Sequence, residues 1–72
     1  MVYELWNRES ANMVAEFDSE GEALEFVREM VEAHGPGVVS VWALAYEDQD
    51  EETHSVAIGE DLLHRSLKPA RT

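Results

Sequence analysis

The chain has no cysteine, a single lysine and no long apolar run, and each absence excludes a class of protein. Without cysteine there is no disulfide framework, and no thiolate or zinc–cysteine site. No apolar stretch approaches the roughly 20 residues of a membrane-spanning helix. The residues after Met1 lead into a strand pattern rather than a signal peptide, so we expect a soluble cytoplasmic protein that does not enter membranes.

Positive charge is also scarce, because five Lys and Arg stand against 16 Asp and Glu, a formal net charge of −11 in 72 residues. Nucleic-acid binding needs cations that displace counterions from phosphates, so we expect no nucleic-acid ligand. Solubility is the simplest explanation of the acidic excess. A basic protein partner, mimicry of nucleic acid and adaptation to high salt remain as alternatives.

The clearest local feature is an amphipathic helix over Glu20–His34. At 100° per residue its apolar residues fall on one half and its charged residues on the other. Ser19 and Glu22 have the spacing of a capping box at the N-terminus. Gly35 and Pro36 form the stop signal. The apolar half is expected to pack on a sheet.

Two strands are predicted before this helix, Val2–Arg8 and Asn12–Asp18. An odd-length loop between them keeps their apolar faces on the same side of the hairpin. The cross-strand pairs expected from this loop are Leu5 with Ala15, Tyr3 with Phe17, and Trp6 with Val14.

After the helix, Val38–Tyr46 is apolar on both faces, which is typical of a central strand. The fourth strand is predicted over Thr53–Ile58, and Glu60–Leu67 has the pattern of a short final helix. The expected fold class is therefore α+β, with element order ββαββ and one four-stranded sheet that carries the helix on one face. Residues 1–67 are predicted to form a single small domain with about 5 kcal/mol of stability. Residues 68–72 are predicted to be a frayed tail.

This architecture leaves one face of the sheet without a helix. The residues assigned to the helix side are Tyr3, Leu5, Met13, Phe17, Trp42, Leu44, Val56 and Ile58. The residues assigned to the other side are Val2, Trp6, Val14, Val39, Val41, Ala43 and Ala45. A soluble monomer seldom exposes so large an apolar patch, so a second copy is expected to cover it. The alternatives are a small ligand, or a C-terminal segment that folds back with Leu62, Leu63 and Leu67 as its cover.

The sequence contains only weak matches to catalytic or metal-binding motifs. The residues Glu47, Asp48, Asp50, Glu51 and Glu52 form an acidic patch, but the run has no glycine and no flanking helices of the kind a calcium loop requires. A solvated turn is the simplest interpretation, with weak cation binding or a basic partner as alternatives. The three histidines have no metal-ligand spacing, and no serine has the context of an activated nucleophile. We therefore expect neither an enzyme nor a bound cofactor.

The run from Phe17 to Arg28, with Tyr3-Glu4-Leu5-Trp6 before it, resembles short uncharacterised bacterial proteins built as strand hairpin, helix, strand hairpin. The resemblance extends through Gly59 and implies the ββαββ fold. It implies no activity and assigns no functional residue.

Two functions are consistent with the sequence. The first is a small non-enzymatic interaction or regulatory domain that forms a homodimer through the helix-free face. Its expected interface residues are Trp6, Val14, Val39, Val41 and Ala43. The second is an acidic inhibitor or nucleic-acid mimic that binds a basic protein through the acidic patch.

Overall fold

The computed structural model describes residues 2–67, so the predicted tail at 68–72 lies outside the described residues. The elements in chain order are β1 (Val2–Asn7), β2 (Asn12–Phe17), α1 (Glu20–His34), β3 (Trp42–Glu47), β4 (Thr53–Ile58) and α2 (Glu60–Leu67), with a 3₁₀ helix at Pro36–Val41 before β3. The strands form one antiparallel sheet in the order β2-β1-β3-β4. The predicted α+β class and ββαββ order are confirmed.

Helix α1 begins and ends at the residues that the sequence predicts. The Ser19 hydroxyl accepts a hydrogen bond from the Glu22 backbone amide, and the Glu22 carboxylate accepts one from the amide of Asp18. Gly35 has a φ of 90°, which side-chain-bearing residues rarely adopt, and its amide donates to the Val31 carbonyl at 2.7 Å. The cap, the apolar stripe and the stop therefore act together to fix this helix.

The predicted strand over Val38–Tyr46 is wrong in its first half, because a 3₁₀ helix occupies Pro36–Val41. Pro36 stands in the first turn of that helix, where its fixed φ is compatible with helical geometry. The turn carries Val39 into the core, where its side chain is buried. A segment with apolar residues at both alternating positions can thus form a short helical turn with one buried side chain as well as a strand.

The first hairpin differs from the predicted one in its loop and its register. The predicted odd-length loop is wrong, because the four residues 8–11 connect β1 to β2. Its pairs Leu5–Ala15 and Tyr3–Phe17 are confirmed, but Trp6 pairs with Met13 instead of Val14. The register shifts between Leu5 and Trp6, which leaves Val14 as the extra residue of a β-bulge. A bulge reverses the alternation of side chains, and for this reason Met13 lies on the opposite face from the one predicted.

A second register shift, between Leu44 and Ala45, has the same effect on β4. Leu44 pairs with Ala57 and Ala43 with Ile58, while Ala45 pairs with Ser55, so Val56 is the extra residue. Ala57 therefore takes the inner position that the alternating pattern predicted for Ile58. The prediction that Ile58 faces the helix is wrong, because uniform alternation does not anticipate a bulge.

The core lies between the sheet and the two helices. Its buried apolar side chains are Leu5, Ala23, Val27, Val39, Trp42, Leu44, Ala57 and Leu62. Gly59 directly precedes helix α2. Its φ is 57°, and its backbone amide donates a hydrogen bond to the Trp42 carbonyl, so the chain turns back onto the sheet at this residue. The molecule therefore has two layers, and its Cα atoms span 35 × 33 × 16 Å.

Candidate interaction face

Both helices lie on the same side of the sheet. Leu62 of α2 is buried in one cluster with Ala23 and Val27 of α1, and Arg65 Nη1 lies 3.1 Å from Glu20 Oε2. The hypothesis that the C-terminal segment folds back over the other face is therefore wrong for residues up to Leu67. Within residues 2–67, no helix covers the second face, which we call the open face.

An apolar row crosses the open face perpendicular to the strands. The cross-strand pairs Met13–Trp6, Trp6–Ala43 and Ala43–Ile58 place one residue from each strand in this row. Met13 is 43% exposed and Ile58 is 41% exposed, while Trp6 and Ala43 are half-buried. The bulge residue Val14 is 39% exposed beside them. We call Met13, Trp6, Ala43 and Ile58 the apolar row.

The residues that lie on the open face therefore differ in part from those of the predicted interface. Trp6 and Ala43 lie on the open face as predicted, and Val14 is exposed at its edge. The predicted positions of Val39 and Val41 on this face are wrong, because both belong to the 3₁₀ helix, where Val39 is buried and Val41 packs against the core.

Met13 and Ile58 take the places that sequence reasoning gave to these valines. The sequence signal that could have found them is weak. A bulge carries no fixed residue type, and only the large apolar side chains at the ends of β2 and β4 point to them.

Three carboxylates lie on the open face toward the other end of the strands. Glu4 pairs with Glu16 on β2 and with Ala45 on β3, and Glu47 lies at the far end of β3 opposite Val2. The Trp6 indole Nε1–H donates to Glu4 Oε1 at 3.1 Å, which confirms that both side chains share this face. The face is thus apolar at one end of the strands and acidic at the other.

The acidic patch forms the connection between β3 and β4, and we call residues 48–52 the acidic hairpin. Asp48 organises this turn because its Oδ1 accepts hydrogen bonds from the backbone amides of Asp50 and Glu52. Its Oδ2 lies 2.8 Å from His54 Nε2. The hydrogen bond with His54, followed by the two backbone amides, lowers the pKa of the Asp48 carboxyl. The other acidic side chains of the turn, those of Asp50, Glu51 and Glu52, are exposed.

His54, on β4 beside the acidic hairpin, is a residue that sequence reasoning did not single out. It pairs with Tyr46 across the two strands, and the two rings stack with centroids 4.9 Å apart. Tyr46 in turn lies against Tyr3, with centroids 5.6 Å apart. The predicted turn between β3 and β4 could have pointed to His54, because the two strands that flank a short turn bring Asp48 close to His54.

No family model, curated protein or solved structure matches this chain.

Three side chains in and beside the acidic hairpin are close enough to share a cation. One ligand atom from each of Asp48, Glu52 and His54 lies within 4.8 Å of the others. Nitrogen and carboxylate oxygen ligands suit zinc and other divalent transition metals. In this conformation, however, Asp48 and His54 hydrogen-bond each other, and the Asp48 carboxylate also accepts the backbone hydrogen bonds that organise the turn. The solvated turn thus stays the simplest interpretation.

Two grooves lined by described residues offer little to an apolar small molecule. One groove of about 340 Å³ is lined by Val2, Phe17 and three acidic residues, and another of about 450 Å³ by Val56, Asp61, His64 and Arg65. Neither is lined by a residue of the apolar row. Ligand sites are usually concave and mostly apolar, and neither groove has that character. In the described part of the chain, no helix is long and apolar enough to cross a membrane.

Proposed function

We propose that this protein is a small, non-enzymatic interaction domain that self-associates through the open face. The observation that carries the proposal is the position of α2. The helix packs beside α1, so the apolar row has no cover among residues 2–67. Burial of apolar surface drives association, and a self-complementary two-fold pair is the commonest way for a chain to cover such a face.

The environment of the charged side chains supports a binding role rather than catalysis. Among residues 2–67 the only fully buried polar residue is Ser66, and its hydroxyl donates to the Leu63 carbonyl at 2.8 Å. Catalytic acids and bases usually combine burial with a strongly perturbed pKa. The carboxyl with a perturbed pKa, Asp48, is instead held by the hydrogen bonds that close a surface turn. The lack of cysteine suits a reducing compartment, and the cytoplasm is the location we propose.

The size of the open face sets the expected strength of the dimer. Four strands about 4.8 Å apart and about 20 Å long give roughly 400 Å² of flat area per copy. A stable interface buries about 800 Å² of accessible surface per partner, so this face is at the small end. Each copy also carries a formal charge of −11, which opposes association at low salt. We expect a dissociation constant on the order of 10–100 μM, lower at high salt, where repulsion is screened.

Sedimentation equilibrium of the wild type and two charge variants tests this proposal. Met13→Glu places a charge in the apolar row at an exposed edge-strand position, and Ala33→Glu adds the same charge on the exposed side of α1. The wild type and Ala33→Glu are expected to dimerise between about 10 μM and 1 mM, and Met13→Glu to stay monomeric. A wild type that is monomeric throughout this range, at both low and high salt, would overturn the proposal.

A basic protein is the second candidate partner, and the carboxylates of the open face favour it. Glu4, Glu16 and Glu47 lie on this face, and Glu47 leads directly into the acidic hairpin. Such binding is expected to weaken as ionic strength rises, whereas self-association strengthens. The variant Asp50→Asn/Glu51→Gln/Glu52→Gln should lose any basic partner that the wild type retains at low salt. If the wild type and this variant retain the same basic protein equally well in a pull-down at low salt, the acidic hairpin is not the binding surface.

A further inference from the structure

The carboxylates of the open face lie together at one end of the strands. Glu4 and Glu16 pair directly across β1 and β2, and Glu47 is the last residue of β3. We call Glu4, Glu16 and Glu47 the acidic end. Neither of the ion pairs formed among residues 2–67 involves them. In the described part of the chain, no salt bridge therefore offsets their charge.

The neighbours of the acidic end are uncharged or acidic. The nearest uncharged side chains of this face, on β1, β3 and β4, are Val2, Trp6, Ala45, Thr53 and Ser55. Asp18 and Glu22 line the groove beside Glu16, and Glu47 leads into the acidic hairpin. Like charges directly opposite each other on a sheet repel, and Glu4 and Glu16 have this arrangement. Because Glu16 is exposed in the monomer, water weakens the repulsion.

The apolar row is too narrow to form an interface without the acidic end. One row covers about 7 Å along the strands and about 19 Å across them, roughly 130 Å², or about a third of the open face. Each residue of the row lies within two positions of the end of its strand. Beyond the row the sheet ends, at the turn 8–11, at the 3₁₀ helix and at Gly59. An interface that uses more of the sheet therefore extends over the carboxylates.

We propose that self-association through the open face is coupled to proton uptake, because the second copy buries Glu4 and Glu16 and favours their neutral, protonated forms. The inference rests on the self-association proposed above and adds its regulation by pH. Removal from water and the approach of like charges both disfavour a carboxylate relative to the neutral acid. Protonated Glu4 keeps a carbonyl oxygen that can accept the Trp6 indole hydrogen bond, so protonation preserves this contact.

Acid is expected to strengthen the dimer. Because the dimer binds more protons than two separate monomers, its dissociation constant falls as pH falls. A glutamate in water stays charged above about pH 5, so a response between about pH 7.5 and 5.5 comes from carboxylates whose charge the complex disfavours. Histidine side chains also titrate in this range. The three histidines lie elsewhere, since His34 ends α1, His64 belongs to α2 and His54 stacks on Tyr46 of the covered side.

Sedimentation equilibrium at about pH 7.5 and 5.5 tests the coupling, in about 0.5 M salt to screen remote surface charges. The wild-type dissociation constant is expected to be at least about fivefold lower at pH 5.5. Glu4→Gln/Glu16→Gln removes both charges and keeps the hydrogen-bonding oxygens. It should associate at least about fivefold more tightly than the wild type at pH 7.5 and respond to pH by less than about twofold. Glu16→Gln alone, at an exposed edge-strand position, should change in the same direction by less.

The matched control is Glu25→Gln/Glu29→Gln, which removes the same charge from the exposed side of α1. At this salt concentration it should follow the wild type within about twofold at both pH values. Both double variants keep the three histidines, so a response caused by histidine would persist in Glu4→Gln/Glu16→Gln. Far-UV circular dichroism at both pH values checks that each variant is folded.

The outcomes distinguish the coupling from the proposed function. If the wild type dimerises equally well at both pH values, the coupling is wrong and self-association stands. The same conclusion follows if Glu4→Gln/Glu16→Gln responds to pH as the wild type does, or gains no more affinity than the control variant. If the wild type is monomeric at both pH values up to about 1 mM, both proposals fail together.

Discussion

The two faces of the sheet are built from the same four strands but have different surroundings. On the covered face, Leu5, Leu44 and Ala57 form a buried row, and Trp42 stacks on Phe26 with ring centroids 6.2 Å apart. On the open face, the adjacent row of Met13, Trp6, Ala43 and Ile58 remains partly exposed. The difference separates two roles within one sheet. The covered face holds most of the buried side chains of the core, and the open face is the one at which we propose that a partner binds.

The largest expected effect is the loss of a side chain from the covered row. Leu44→Ala removes a fully buried side chain from an inner strand and should lower the free energy of unfolding by about 2–5 kcal/mol. A domain of this size has about 5 kcal/mol in total, so the variant should be close to unfolded at 25 °C. Urea unfolding followed by circular dichroism measures the change.

Ile58→Ala is the matched control on the open face. Because Ile58 is 41% exposed, its truncation in the monomer should cost less than about 1 kcal/mol. The comparison is best made at low protein concentration, where self-association does not contribute. If both truncations lower the free energy of unfolding by the same amount, the covered face does not contribute more to stability than the open face, and the comparison is wrong.

A smaller effect is expected in the acidic hairpin, at the edge of the covered face. Asp48→Asn removes the charged partner of His54 and should lower the melting temperature by less than Leu44→Ala does. The folded-state pKa of Asp48 is lowered, so its contribution to stability is present above the unfolded pKa of about 3.9 and is lost as pH falls through the folded pKa. The wild-type advantage over Asp48→Asn should therefore vanish in acid.

Melting temperatures of both proteins between neutral and strongly acidic pH check this prediction. Asp50→Asn is the control, because the Asp50 side chain is exposed and the hydrogen bond at this position comes from its backbone amide. A difference between wild type and Asp48→Asn that persists unchanged into strong acid would show that the carboxylate charge has no part in the turn.

Much of the fold follows from local patterns in the sequence. The bounds of Glu20–His34, Thr53–Ile58 and Glu60–Leu67 agree with the structure, because capping residues, glycines and strict periodicity mark them. The segment Pro36–Val41 could not be assigned in this way. A short segment with apolar residues at both alternating positions has no periodicity to distinguish a turn from a strand.

The open face was predictable as a feature but not residue by residue. An inner strand with apolar residues on both sides, together with a single long helix, indicates that one face lacks a cover. Which residues lie on the open face depends on the bulges at Val14 and Val56, because each bulge reverses the alternation of side chains along its strand. Bulges arise from the fit between strands and loops across the whole sheet, so single-strand patterns miss Met13 and Ile58. The position of α2 beside α1 likewise depends on tertiary packing, which the local sequence pattern does not show.

The two tryptophans provide the most direct test, because one lies on each face. We expect that the Trp6 indole N–H signal in ¹H–¹⁵N NMR spectra shifts progressively as the protein is diluted from about 1 mM to 10 μM, across the expected dissociation constant. The Trp42 indole, buried beneath Phe26, should not move. Shifts at Trp42 or along the charged side of α1, with Trp6 unchanged, would contradict the assignment of the open face as the self-association surface.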